Sequence, residues 1–293
     1  MHTSWPTVAK SRIYFISDVH GSNRCFRKFL NAAGFYKADI LILGGDIEVE
    51  EFRKKAADFG SYTSIMSPSE FEELKANPGK VTELFNRLMV ERTREWISLA
   101  EERLGKTSVK CFISPGNDDL SDLDSVLDSS PYVVNPEGRV VKIDGEHEMI
   151  TLGYTNHTPW NSPREVDEDV LALKISGMAD KVQNMKSAIF NIHVPPIDTP
   201  IDQAPRIGEN LKIVVKAGYV EMISAGSSAC RAAIMKYQPM IGLHGHIHES
   251  RGIVRLGRTL CANPGSEYGE GILRSFISDL EGDRIKSYLL ASG

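Results

Sequence analysis

Three histidines at alternate positions, His244, His246 and His248, stand in the stretch MIGLHGHIHES directly after a short apolar run at 240–243. Neutral imidazole is the commonest metal ligand, and Gly245 lets the backbone turn sharply enough for neighbouring rings to converge. The ordinary alternative is a polar edge strand with its rings in water. Four other turns bear on the choice. Asp18 and His20 follow the apolar run 13–17, Asp46 follows 40–43, Asn117 and two aspartates, Asp118 and Asp119, follow 109–113, and His193 follows 187–192. Singly, Asp18 and Asp46 read as helix caps, Asn117 as a turn residue and His193 as a satisfied ring at a strand end. Jointly, these readings need the same coincidence at five strand ends, where five of the eight histidines of the chain fall. Carboxylate, amide and imidazole donors in that mixture suit a transition-metal site.

The elements that must position these residues alternate between short buried strands and helices, an α/β pattern that places its ligands at the carboxyl ends of strands. After the first strand, Ser22 is a cap for a helix with Phe26, Phe29, Leu30 and Ala33 on its apolar face, closed by Gly34. Residues 48–105 are highly charged. There Val81, Leu84, Phe85, Leu88, Met89, Trp96, Ile97, Ala100 and Leu104 recur at helical spacing, which predicts a helical insertion over or beside the site. Ser121 to Asp124 has the form of a capping box. Turn chemistry between 132 and 152 predicts three short antiparallel strands. Ser162, Pro163, Arg164 and Glu165 read as the start of a helix running toward Gln183. A proline-rich loop is expected at 194–210, a helix at 227–237 and strand pairs around Asn263, Pro264 and Gly265.

With 293 residues, 41% of them apolar, the chain is sized for one large domain that folds without staples. Its net charge of −5 disfavours nucleic acid and anionic membranes as partners. Cys25, Cys111, Cys230 and Cys261 are scattered without a C-x-x-C pair, which suits packed thiols in a reducing compartment. The start of the sequence lacks the apolar run of a signal peptide, and no eighteen apolar residues follow one another. These features point to a cytoplasmic protein.

The motifs D-x-H at Asp18 and His20, G-D at Gly45 and Asp46, G-N-x-D from Gly116 to Asp119, the lone His193 and G-H-x-H from Gly245 to His248 occur in the order found in the calcineurin-like metallophosphoesterase family. The chain resembles that family over nearly its whole length, least over 48–105; FISDVHG and LILGGDI are similar to its Icc-related branch. The resemblance implies a four-layer αββα sandwich of two mixed sheets flanked by helices. It also implies two metal ions, Mn, Fe or Zn. One would be held by Asp18, His20, Asp46 and His248, the other by Asp46, Asn117, His193 and His246, with Asp46 as bridge. The activity implied is hydrolysis of a small phosphoester by a metal-bridging hydroxide. The alternatives are a non-catalytic metal-binding scaffold and a metal-dependent nuclease.

One position departs from the pattern. The family has His after the Asn, as proton donor to the leaving group and a contact to the phosphoryl oxygen; here it is Asp118. An Asp with its reference pKa of about 3.9 is an anion at pH 7 and a poor acid. Diesters with good leaving groups are therefore expected ahead of alkyl monoesters. The acid could instead be His244, otherwise an orienting neighbour of a ligand, or His157, in a loop with Trp160. Arg164 and Arg206 are the cations placed by loop context for phosphate, with solvated surface as their ordinary fate.

Overall fold

The computed structural model describes residues 10–47, 77–208 and 211–293. Its first sheet is built from β1 (Lys10–Ile16), β2 (Ile40–Gly44), β3 (Lys110–Ser114), β14 (Arg274–Glu281) and β15 (Arg284–Ser292), in the order β15-β14-β1-β2-β3. Strands β1, β2 and β3 run parallel, and β14 and β15 are antiparallel additions. The second sheet is built from β4 (Val140–Lys142), β5 (Glu148–Leu152), β6 (Ile189–Ile192), β11 (Ile241–Leu243), β12 (Gly252–Leu256) and β13 (Thr259–Asn263), in the order β12-β13-β11-β6-β5-β4. Its central strands β5, β6, β11 and β13 are parallel, with antiparallel strands at both edges.

Alternation along the strands builds four layers, because successive side chains leave opposite faces of a sheet. Ile13, Phe15, Ile40, Ile42 and Phe112 meet Met149, Ile189, Ile241, Leu243 and Leu260 between the sheets. The intervening Tyr14, Ile16, Leu41, Leu43 and Ile113 pack on α1 (Asn23–Phe35) and α2 (Pro78–Leu104). Ile150, Leu152, Phe190 and Ile192 pack on α4 (Glu168–Ala179) and α5 (Ser228–Tyr237). Strands buried on both faces read as continuous apolar runs, which is why they are legible in the sequence. The four cysteines are buried, and no disulfide joins them.

Ser22 caps α1 through a bond from the Cys25 N–H. Gly34 does not close that helix, which continues to Phe35, and it is Lys37 that takes a positive φ of 53°. Of the expected insertion, 48–76 lie outside the described residues, and the rest is α2. Its C-terminal half belongs to the core: Trp96 is buried, stacks on Phe26 at 4.1 Å and 7°, and donates to Asn23 Oδ1 at 2.6 Å. Met89 and Ala100 are fully buried as well.

Other local expectations are corrected by tertiary partners. The capping box at α3 (Asp122–Asp128) is not made: Ser121 is itself helical, and Asp124 accepts from Arg164 instead. The helix expected from Ser162 begins only at Glu168, with Asp167 as its N-cap. Ser162 and Arg164 are drawn to the turn after β3, and Arg164 is not solvated but buried. Between 132 and 152 there are two strands plus isolated bridges at Val134 and Glu137. The proline-rich loop contains β7 (Gln203–Pro205), paired with β10 (Met222–Ser224), and buried Asp202 knits it by accepting the Asp198, Thr199 and Gly226 N–H groups. A further two-residue pair, β8 (Val215–Lys216) and β9 (Tyr219–Val220), lies in the same arm.

Candidate metal centre

The turns after β1, β2, β3, β6 and β11 carry the residues singled out by type and spacing, and the two sheets bring them to one place. Backbone bonds stitch the turns together: the Asp18 N–H donates to Gly45 O at 3.0 Å, and the Val19 and His20 N–H groups to Asp46 O at 3.1 and 3.0 Å. Asp119, fully buried, accepts from the N–H groups of Gly116 and Ile47, each at 2.8 Å, and so ties the turn after β3 to the turn after β2. The sequence signal for it was the last letter of G-N-x-D, read without a role. Burial and nearby Asp46 push its carboxyl up to about 7, against the pull of those two donors.

Asp18, His20, Asp46 and His246 all have positive φ, between 43° and 65°. Non-glycine residues in that region cost of order 1–3 kcal/mol each and persist where the surroundings over-determine them, which is typical of functional sites. The glycines allow close approach. A Cβ on Gly45, itself at φ +128°, would lie 2.3 Å from the His193 ring, and one on Gly245 would lie 2.3 Å from Asp18 Oδ2.

Three sets of donor atoms lie within 4.8 Å of one another: Asp18, His20 and His248; Asp46, His193 and His246; and His20, Asp46 and Asp118. Asp46 Oδ2 is 3.3 Å from His193 Nε2 and 3.7 Å from His20 Nε2, so this carboxylate stands between the first two sets. His20 Nε2 and His248 Nε2 are 3.0 Å apart, and His248 Nε2 is 3.5 Å from Asp18 Oδ1. His193 Nδ1 is 3.0 Å from Gly44 O, a donor's position that turns Nε2 toward Asp46 and Asp18, where it makes no aligned hydrogen bond. The His246 N–H donates to both oxygens of Asp18 and fixes that carboxylate. Asn117, 3% exposed, has a buried Oδ1 without a hydrogen-bond partner.

Electrostatics follow from the crowding. Burial alone would raise Asp46, but His193, His20 and His246 hold it well below the usual carboxylate range. Asp18 is likewise lowered, against its burial, by His248 and His193. Conversely, burial opposes charging His193 and His248, yet the two aspartates push them up to about 10 and about 9. Burial and the neighbouring His193 push His246 down to about 4. Oxygen and nitrogen donors clustered in this way, with His193 Nε2 and Asn117 Oδ1 buried and unpartnered, fit a metal ion.

The two other candidate donors are not in these sets. His244 is fully buried, with Nδ1 2.8 Å from Ile192 O, and burial pushes it down to about 4; it orients the turn from the protein side. His157 is exposed and pairs with Asp167 at 3.0 Å. Arg164 braces the turn after β3 through Asp124 and the carbonyls of Asp119 and Leu120, and Arg206 pairs with Glu221 at 3.2 Å. One neighbour gave no sequence signal: Tyr268, whose ring centroid is 4.7 Å from that of His20 and 5.9 Å from that of His248. It borders a cavity of about 440 Å³ that opens beside His248 and is also lined by Arg251, Ser266 and Arg274. Ser266 donates to Asp18 O at 2.6 Å, and the buried Asn263 amide donates to Ile247 O at 3.0 Å. No helix of the described residues is long and apolar enough to cross a membrane.

Comparison with known proteins is consistent with this geometry. No family model matches the chain. The uncharacterized protein MJ1162 of Methanocaldococcus jannaschii is 30% identical over 167 residues, 56% of this chain and 68% of that one. One solved structure aligns over 97% of this chain and 99% of its own, at TM-score 0.65 and 18% identity. The solved structure of TT1561 from Thermus thermophilus aligns over 98% and 99%, at TM-score 0.51 and 16% identity. The chain belongs to one family with MJ1162, and it shares its two-sheet fold with these two solved structures.

Proposed function

We propose that the chain is a metal-dependent phosphoester hydrolase that prefers phosphodiesters with good leaving groups to alkyl phosphomonoesters. The observation that carries this reading is the convergence of Asp18, His20, Asp46, His193, His246 and His248, from four separate turns, into two adjoining donor sets with Asp46 between them. Asp18, His20, Asp46 and His248 would hold one ion, and Asp46, Asn117, His193 and His246 a second. When bound, two such ions supply Lewis acidity, activating water at neutral pH and neutralising charge on the phosphoryl oxygens.

The protein's own contribution is positioning. The Gly44 carbonyl fixes the His193 ring, and the His246 amide fixes Asp18, so the donors face the centre without reorganisation. The cavity beside His248 offers room for an alcohol substituent of the ester, with the Tyr268 ring as one wall. At position 118 the chain offers a carboxylate in place of a neutral donor, and His244 and His157 stand outside the donor sets. Departing groups that leave as stable anions are therefore favoured.

The test is turnover of bis(4-nitrophenyl) phosphate by the full chain with added Mn²⁺, compared with an alkyl 4-nitrophenyl diester and with simple alkyl monoesters. Expected are metal-dependent release of nitrophenolate, loss on chelation, and far slower alkyl monoester cleavage. Tight metal binding with no turnover of any ester would favour the second reading, a metal-binding scaffold, which the carboxylate at position 118 supports. Cleavage of DNA or RNA in preference to small diesters would favour the nuclease reading, which the net charge of −5 disfavours.

A further inference from the structure

Asp118 lies where the sequence breaks the family pattern, and its surroundings are not those of a proton donor. One of its carboxylate oxygens, a ring nitrogen of His20 and a carboxylate oxygen of Asp46 lie within 4.8 Å of one another. Its backbone N–H donates to Asp46 Oδ1 at 3.0 Å, which holds the two acidic residues side by side. The Asn117 amide donates to Asp118 Oδ1 at 3.1 Å, and the Ser162 hydroxyl donates to that same oxygen across 44 residues of chain. Two donors on one oxygen fix the rotamer of a half-buried side chain. The nearby guanidinium, Arg164, bonds Asp124 and two carbonyls. Beside this arrangement stands Asn117, 3% exposed, its Oδ1 buried and without a hydrogen-bond partner. With its nitrogen on Asp118, the amide is held with the oxygen as the end available to a cation.

We infer that Asp118 is itself a metal ligand, a third carboxylate that enters the centre from the turn after β3 and joins His20 and Asp46 on one ion. The inference rests on the metal reading of the site given above. Two carboxylates held side by side repel, and a cation between them turns that repulsion into attraction. The donor set of two carboxylate oxygens and one imidazole is hard, so it favours Mn²⁺ or Mg²⁺ more than a set with imidazole alone. Three aspartates against two divalent ions leave the loaded centre with one positive charge where two aspartates would leave two. A phosphodiester, with one negative charge, loses less attraction by this than a monoester dianion, so the residue that removes the proton donor also sets the ester class. Ser162 is then a positioning residue for Asp118.

The experiment is calorimetric titration of the metal-free full chain with Mn²⁺ and with Zn²⁺, with the Mn²⁺ electron paramagnetic resonance spectrum as a second readout. It is done on the wild type, Asp118→Asn, Asp118→Ala and Ser162→Ala, each checked for folding by circular dichroism. Expected are a loss of Mn²⁺ affinity of at least about 10-fold in both Asp118 variants, the size seen when even outer partners of a ligand are removed. A smaller loss is expected in Ser162→Ala, with Zn²⁺ affinity falling less than Mn²⁺ in every case and the bound-Mn²⁺ spectrum altered. Unchanged affinities and spectra in Asp118→Asn and Asp118→Ala, in a wild type that binds metal, would overturn this inference and leave the dinuclear reading standing. A wild type that binds neither ion would overturn both. If Asp118→Ala is misfolded, the near-isosteric Asp118→Asn decides.

Discussion

Metal uptake by this site must expel protons, and the number follows from the structure. At pH 7 the His193 and His248 rings, pushed up to about 10 and about 9 against their burial, carry protons, because Asp46 and Asp18 lie within 3.3 to 3.7 Å of their Nε2 atoms. The aspartates are already charged, since their own values are lowered, and His246, pushed down to about 4, is already neutral. A metal ion on Nε2 competes with the proton there, so filling the site at pH 7 releases about two protons per chain. Each released proton makes apparent affinity rise about 10-fold per pH unit, so the product of two binding constants rises about 100-fold per unit from pH 7 toward 9, or about 2.7 kcal/mol per unit. The rise then flattens as the rings lose their protons unaided.

The same shifts govern the chain without metal. Stability drawn from a raised histidine is fully present below about 6.5 and is lost as pH rises through the folded values of about 9 and about 10. The assay is calorimetric titration with Mn²⁺ at pH 7 in buffers of different ionisation enthalpy, in which the slope of heat against buffer enthalpy counts the protons. His193→Ala should release about one fewer. Release near zero in the wild type, or a count unchanged in His193→Ala, would refute the electrostatic argument.

Asp46→Asn should be the most damaging single change to metal content, since this carboxylate stands between two donor sets; elemental analysis after metal loading should find less than half the wild-type content. Trp96→Ala should cost about 3–5 kcal/mol in urea unfolding, because it removes a buried ring stacked on Phe26 and its bond to Asn23. Protection in hydrogen exchange along α2 should match the sheets from Trp96 to Leu104, whose buried face is part of the core, and equal exchange with a free helix there would count against that packing. Burial pushes Glu137 up to about 7, so the unfolded chain releases this proton from about 4.5 while the folded chain keeps it; its share of stability should fall by as much as about 1.4 kcal/mol per unit between those values, and Glu137→Gln should remove that share, leaving the one from Asp119, when denaturation midpoints are compared at pH 5 and pH 8.

Much of this architecture is written locally. Strands buried on both faces appear as unbroken apolar runs, so β2, β3, β6 and β11 were legible within a residue or two and β1 within three, and with them the turns that end in Asp18, Asp46, Asn117, His193 and His246. Ser22 caps as its position implied, and the helix expected from 227 is capped by Ser227. The ligand-type residues were legible because each follows a strand, and parallel strands in one sheet deliver their carboxyl ends to the same edge. What failed locally failed for a common reason. Asp124 and Ser162 belong to capping patterns, but Asp124 accepts from Arg164 and Ser162 donates to Asp118, and a local propensity of a few tenths of a kcal/mol yields to such partners.

The sequence by itself determined the strand ends, the donor types and the carboxylate at position 118. Only the tertiary structure decided which donors share a centre, because that depends on how two sheets face each other and no spacing along the chain encodes it. It places His244 and His157 outside the donor sets, one buried against Ile192 and the other exposed beside Asp167. It added Tyr268, 248 residues from His20 in sequence and in ring contact with it, and it brought Ser162 to Asp118. Side chains meet where the packed sheets leave their ends, and a contact of that kind has no local signature to read.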